Sequence, residues 1–181
     1  MLGFTTKHEA LNCPALDERW CGSLRTGYEA IAGFVRDQVS QRGSDRTVRI
    51  AKPPVDTSKA WNAVGGFGLI LHAGKNVGTQ DALHPRTAAG VSRDGRWLYL
   101  LVIDGRQKGT SEGTTTAETA AWLLALGAWD GLNLDGGGST TLVVDDGLGG
   151  AKVLNRPIHL GVPGTLRVNG NHLGVFAKPR A

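Results

Sequence analysis

Nothing in this chain approaches the roughly 20 consecutive apolar residues that a membrane-spanning helix needs, so no span is expected. The start, MLGFTTKHEALNC, places Lys7, His8 and Glu9 where a signal peptide needs an apolar run. The reading is therefore a soluble, unexported chain, cytoplasmic in a bacterium or bacteriophage. No run of five like charges occurs, and no aromatic ladder is interleaved with the basic residues, so nucleic acid is not expected as a partner. The five histidines, His8, His72, His84, His159 and His172, show no paired spacing, which argues against a catalytic transition metal. Cysteine is limited to Cys13 and Cys21. These pair if the chain is exported, bind metal together with His8, or do nothing, the commonest outcome in a reducing compartment.

What is present suits a loop-rich globular enzyme or binding protein. Apolar residues make up 40% of the 181, charged residues 20%, and there are 27 glycines. A chain of this length is one domain, or a domain with an extension, and buries most of its apolar surface. With four Phe and two Tyr, the five Trp stand out; packing is their usual role and sugar stacking the less usual one. The net charge of +4 is uneven, because residues 151–181 carry Lys152, Arg156, Arg167, Lys178 and Arg180 with no acid. Such a tail favours an anionic substrate, a nucleic-acid backbone or simple solubility.

The stretch LNLDGGGSTTLVV, from Leu132 to Val144, organises the chain. Leu132 and Leu134 read as the end of a buried strand, and Leu142 to Val144 as the start of another. Between them Asp135 presents a carboxylate beside Gly136, Gly137 and Gly138, where no side chain obstructs a ligand. Ser139, Thr140 and Thr141 add hydroxyls. Glycine loses the most entropy on ordering, so three in a row call for positive φ or close approach of another group. Two readings stand side by side: the floor of a polar, phosphate-binding site, or a tight strand connection.

Before this stretch, Tyr28 to Val39 is expected as an amphipathic helix, with Ile31, Phe34, Val35 and Val39 at helical spacing. Thr47 to Ala51 reads as a half-exposed strand, and Pro53-Pro54 marks a soft divide. Residues 1–60 are thus expected as a divergent extension and 61–181 as the core. Leu69 to Leu71 is a buried strand, Ala73-Gly74 a hairpin turn, and His72 a surface residue. Thr87 to Ser92 and Trp97 to Ile103 form a hairpin about Arg93-Asp94-Gly95-Arg96. The second of these strands is apolar almost throughout, so both its faces are expected to be covered. Antiparallel pairing brings Arg86, Asp104 and Arg106 to one sheet edge, as site residues or as a surface Arg–Asp pair.

After the loop KGTSEGT, Thr115-Thr116-Ala117-Glu118 matches a capping box. The helix should run from Thr116 to Leu126, bury Ala120, Leu123 and Leu124, and end at Gly127. Glu118 is then explained as structure, whereas Glu112 is not. Lys152 to Leu154 and Gly174 to Ala177 are expected as short strands, with glycine- and proline-rich loop from Ile158 to Gly170. His84 and His172 stand beside motif residues, although loop histidines more often face solvent.

Taken in order, DGRQ, SEG, the capped helix, NLDGGGST, NRP and the terminal NHL resemble the phosphodiester glycosidase family over roughly Val64 to Phe176. The resemblance implies an α/β (α+β) fold with a mixed, largely antiparallel sheet and packed helices. It also implies a hydrolase that cleaves the glycosidic bond of a sugar-1-phosphodiester, and a glycan phosphodiester as partner. Gln107, Asn155, Arg156 and Asn171 become candidates for the site walls on the same ground.

Breaking the anomeric C–O bond of such an ester expels a phosphomonoester whose conjugate acid has a pKa of about 6. That leaving group needs its charge held more than it needs a proton. Arg86 and Arg106 are therefore expected to hold phosphate, with the Gly136 to Gly138 amides, Ser139 and Thr140. Asp135 is expected to act at the reacting carbon or on water, with Asp104 or Glu112 as second carboxylate. No cofactor is expected; Asp104, Glu112 and Asp135 could supply oxygen ligands to Ca²⁺ or Mg²⁺, but no spacing matches a known loop. The alternatives are a non-catalytic binder of a phosphorylated sugar or nucleotide, and a structural module that keeps only the fold.

Overall fold

The computed structural model describes residues 30–36, 46–51, 60–169 and 172–175. Cys13, Cys21, His8, Asn171 and the Pro53 boundary lie outside the described residues, and so do the expectations placed on them. The first elements are three strands, β1 (Ala30–Arg36), β2 (Arg46–Ala51) and β3 (Ala60–Gly66), which form an antiparallel sheet in the order β2-β1-β3. The expected helix at Tyr28 to Val39 is thus corrected. Its apolar spacing fits a helix, yet residues 30–36 are a strand with a partner on each side, Ile31 opposite Ala51 in one ladder and Gly65 in the other. Tertiary pairing overrides a short apolar period.

Only Phe67 separates β3 from β4 (Gly68–His72), which leads into a five-stranded sheet. Its other strands are β5 (Lys75–Asn76), β6 (Arg86–Val91), β7 (Leu98–Ile103) and β8 (Asp130–Asn133), in the order β5-β4-β8-β6-β7. Every strand pairing among the described residues is antiparallel. At the β4–β5 turn both Ala73 (φ 49°) and Gly74 (φ 73°) are left-handed, as a two-residue hairpin loop requires. His72 is exposed there and meets Asp130 at 3.0 Å. The β6–β7 hairpin follows the Asp-Gly signal, with Asp94 accepting from the Arg96 N–H at 3.1 Å. β7 differs from expectation: it is an edge strand, half-buried at every position, because nothing pairs beyond it in the sheet.

One helix is described, α1 (Thr116–Ala125). Thr115 Oγ1 accepts from the Glu118 N–H at 3.1 Å, and Glu118 Oε2 accepts from the Thr115 N–H at 2.8 Å, the reciprocal capping box. At the other end Gly127 takes φ 101°, and the Ala128 and Gly127 N–H groups reach the Leu123 and Leu124 carbonyls, both at 3.0 Å. That is a Schellman stop, which needs a residue free of the Cβ penalty at Gly127. The helix buries Thr119, Ala120 and Leu123; Leu124, expected inside, is 42% exposed.

Ala120 and Leu123 pack with Ile70, Leu71, Ala88 and Ala128 on one side of the large sheet. Ala89, Leu132 and Leu134 pack on the other side with Val64 of β3 and Ile50 of β2. Complete burial of Leu132 stabilises the fold by about 2 kcal/mol. The fold is therefore α+β: the helix covers one face of the antiparallel sheet and the smaller sheet covers the other. The remainder comprises a 3-10 turn (Gly137–Ser139) and two ribbons, β9 (Val143–Asp145) with β10 (Ala151–Val153) and β11 (Ile158–His159) with β12 (Val162–Pro163). The final strand expected at Gly174 to Ala177 is not formed at residues 172–175. No described helix is long and apolar enough to cross a membrane.

Candidate active site

Strand alternation sets up the site. Leu132 faces the small sheet, Asn133 turns to the helix face, and Leu134 is anchored by its N–H to the Thr87 carbonyl at 2.8 Å. The chain then folds back over the start of β6, where the Gly137 N–H donates to the Pro85 carbonyl at 2.9 Å. A cleft of about 570 Å³ opens between this glycine turn and the N-terminus of α1. Arg86, Arg106 and Arg167 line it with Asp81, Asp135, His84 and Asn133, and Phe67 and Val77 add exposed apolar side chains.

Asp135 is half-exposed and held by three donors. Its Oδ1 accepts from the Gly136 N–H at 2.9 Å, and its Oδ2 from Ser139 Oγ at 2.6 Å and Arg167 Nη2 at 3.1 Å. Arg167 also donates to Ser139 Oγ. Sequence reasoning placed Arg167 only in a basic tail; the acid-free run after residue 151 was the signal that one of those cations had its partner elsewhere.

Arg106 stands opposite, exposed, with φ 56°. A left-handed backbone at a non-glycine residue costs on the order of 1 kcal/mol and tends to occur where a side chain must be aimed. Here the guanidinium lies over Gly137, itself at φ 60°, where a Cβ would stand 3.0 Å from Arg106 Nη1. The positive φ favours glycine here, and a side chain would also push the guanidinium aside. Arg106 Nη2 also meets His84 Nδ1 at 3.2 Å. Burial, then the positive charges of Arg106 and Arg86, lower the His84 pKa below its ordinary 6.5. The imidazole is therefore neutral near neutral pH and accepts from Arg106 at Nδ1.

Arg86, expected to hold phosphate, is mostly committed to the fold. It is 7% exposed; its Nη2 donates to Asp81 Oδ2 and the Ala82 carbonyl, both at 2.8 Å, and its Nε to the Thr114 carbonyl at 2.9 Å. Asp81 in turn accepts from the Thr116 N–H at 2.7 Å in the first turn of α1. Burial raises the Asp81 pKa, but the Thr116 and Arg86 bonds outweigh it, and the net shift is downward.

The other expected site residues fall into a supporting layer. Asp104 is not free to serve as a second carboxylate in the cleft: its Oδ1 accepts from Asn155 Nδ2 and its Oδ2 from the Arg156 N–H, both at 2.9 Å. Asn155 also holds the Thr140 carbonyl at 3.0 Å and the Leu142 N–H at 2.8 Å, a latch beneath the glycine turn. Gln107 is buried, donating to the Arg156 carbonyl at 2.7 Å. Thr140 is buried against Thr87. Glu112 is exposed and outside the cleft lining, because its loop folds back so that its carbonyl accepts from the Arg106 N–H at 3.2 Å. Of the three glycine amides, those of Gly136 and Gly137 are taken internally, by Asp135 and Pro85. Trp97, Trp122 and Trp129 do not line the cleft. The oxygen set Asp104, Glu112 and Asp135 does not converge, and no group of three His, Cys, Asp or Glu suited to a metal ion occurs among the described residues.

This arrangement has relatives. The chain belongs to the phosphodiester glycosidase family, whose profile matches residues 25–176 and so begins well before the motif-rich stretch from Val64. A structure of the zebrafish N-acetylglucosamine-1-phosphodiester alpha-N-acetylglucosaminidase catalytic domain, auto-inhibited by pro-peptide, is similar in fold, with a TM-score of 0.53 at 20% identity. The similarity covers 72% of this chain and 45% of the zebrafish chain, so the present chain spans less than half of that relative. A hypothetical protein from Synechocystis is similar at 28% identity with a TM-score of 0.45, covering 67% of this chain and 24% of the other. No curated protein matches the chain.

Proposed function

We propose that the cleft hydrolyses the glycosidic bond of a sugar-1-phosphodiester. The observation that carries the proposal is the meeting of Asp135, Arg106 and Arg167 around the glycine turn, in a cleft that also exposes the apolar side chains of Phe67 and Val77. Phosphate sits against Arg106 and the Gly137–Gly138 turn, and the sugar lies on Phe67 and Val77. Arg86 adds positive charge from behind, through the guanidinium edge that Asp81 does not occupy.

Water attacks the anomeric carbon while the C1–O bond breaks, and the bridging oxygen leaves with the phosphate as a monoester. Arg106 and Arg167 hold the charge that develops there, which suits a leaving group needing little protonation. Asp135 is the carboxylate best placed to orient the water or stabilise the cationic carbon, since Asp104 is engaged by the 155–156 loop and Glu112 lies outside the cleft lining. The test is incubation with a model sugar-1-phosphodiester in ¹⁸O-labelled water. The label should appear at C1 of the free sugar; label in the phosphate would mean P–O cleavage instead, and no turnover would remove the reaction.

One observation favours a second reading, a binder without turnover: both Asp135 oxygens are occupied by internal donors. An intact phosphorylated sugar that survives gel filtration with the protein, together with absent turnover, would select it.

A further inference from the structure

Asn133 is the one cleft residue whose presence the packing does not explain. It ends β8 in register with Gly68 of β4 on one side and Ala88 of β6 on the other, so its cross-strand neighbours carry no side chain or only a methyl. It is 6% exposed and lines the cleft. Its Oδ1 is buried without a hydrogen-bond partner, and no hydrogen bond reaches its Nδ2 among the described residues. A carbonyl oxygen buried without a donor destabilises the fold, and a leucine, branched at the same Cγ, would not. An interior that keeps such a group keeps it for something that arrives later.

We infer that Asn133 is a specificity-determining residue whose amide binds a hydroxyl of the uncharged sugar, and that the phosphate lies at the arginine-lined end of the cleft. The inference rests on reading the cleft as a sugar-phosphate site. Whichever way the amide is turned, it offers an acceptor as well as donors. A phosphodiester oxygen satisfies donors only, whereas a hydroxyl donates to Oδ1 and accepts from Nδ2. The partly exposed guanidinium groups, Arg106 and Arg167, are gathered instead at Gly137 and Ser139. The exposed apolar side chains of Phe67 and Val77 give the C–H face of a sugar ring a surface to lie on. The cleft therefore offers the Asn133 amide to a neutral hydroxyl and Arg106 with Arg167 to an anion.

The test uses two probes, glucose 1-phosphate and inorganic phosphate, titrated calorimetrically into the unaltered chain, Asn133→Leu and Asn133→Ala, with thermal unfolding of each. Both variants should bind glucose 1-phosphate at least about tenfold more weakly and inorganic phosphate within about twofold of the unaltered chain. Asn133→Leu should unfold at the same temperature or higher, because it removes an unsatisfied amide; a merely structural asparagine would show a fall. Equal losses for both probes, no loss for either, an unaltered chain that takes up neither, or a lower melting temperature for Asn133→Leu would overturn the assignment. Neither probe is a diester, so the outcome is separate from turnover. Selective loss in a chain that hydrolyses no sugar phosphodiester keeps Asn133 and discards the reaction, and turnover with unchanged binding in both variants does the reverse.

Discussion

Arg86 and Arg106 flank the same cleft, but the fold treats them in opposite ways. Arg86 is buried and spends its Nε and Nη2 donors on the fold, tying Asp81, Ala82 and Thr114 together at the N-terminus of α1. Arg106 is exposed, is held in a left-handed conformation, and meets a neutral histidine and a glycine. One arginine builds the wall and the other is presented by it. Charge alone does not mark a binding residue; what matters is how many of its donors the fold has already used.

The sharpest way to break this contrast is at the presented side. Asp135→Asn should lower turnover of a sugar-1-phosphodiester roughly a thousandfold. Because the carboxylate is half-exposed, its ion pair with Arg167 should contribute under about 1 kcal/mol to stability, checked by urea unfolding. Arg106→Gln comes next, with a loss of about a hundredfold in kcat/KM and little change in melting temperature. Arg86→Gln should do the reverse, destabilising by roughly 2 kcal/mol because three acceptors lose a buried donor. If Arg86→Gln proved silent in denaturant while Arg106→Gln unfolded the chain, the division of labour would be wrong.

Smaller effects sharpen the same boundary. Thr115→Ala removes half of the reciprocal cap and should cost about 1 kcal/mol, with KM unchanged if the helix terminus serves only as scaffold. The weakest effect is a pH dependence. The His84 pKa is lowered on folding, so the unfolded chain binds the extra proton first as pH falls. The stability contributed by neutral His84 is complete above the unfolded value of 6.5 and is lost as pH drops from there through the folded value. His84→Gln should flatten that part of the stability curve, read from melting temperatures across the range; an unchanged slope would place the titration elsewhere.

The fold and the site were legible to different depths. The capping box, the Asp-Gly hairpin and the Gly127 stop are written within a few residues, and the structure has all of them. The apolar spacing from Tyr28 to Val39 suits a helix, yet the outcome at Ala30–Arg36 lies with β2 and β3, whose pairing no local pattern records. The partner assigned to Arg86 shows the same limit. Antiparallel register does bring it opposite Ile103, beside Asp104, yet the guanidinium turns to Asp81 while Asp104 closes on the 155–156 loop.

The sequence by itself determined where the chain turns, where its helix starts and stops, and that an acid beside three glycines ends a buried strand, because those outcomes depend on backbone preferences and contacts a few residues apart. Tertiary structure decided which charges meet. Arg167 reaches Asp135, Arg86 is consumed by Asp81, and Asn133 is left unpartnered only once the strands are paired and the loops closed over them. Hydrogen bonds and ion pairs act over about 3 Å in space and carry no trace of their partners along the chain.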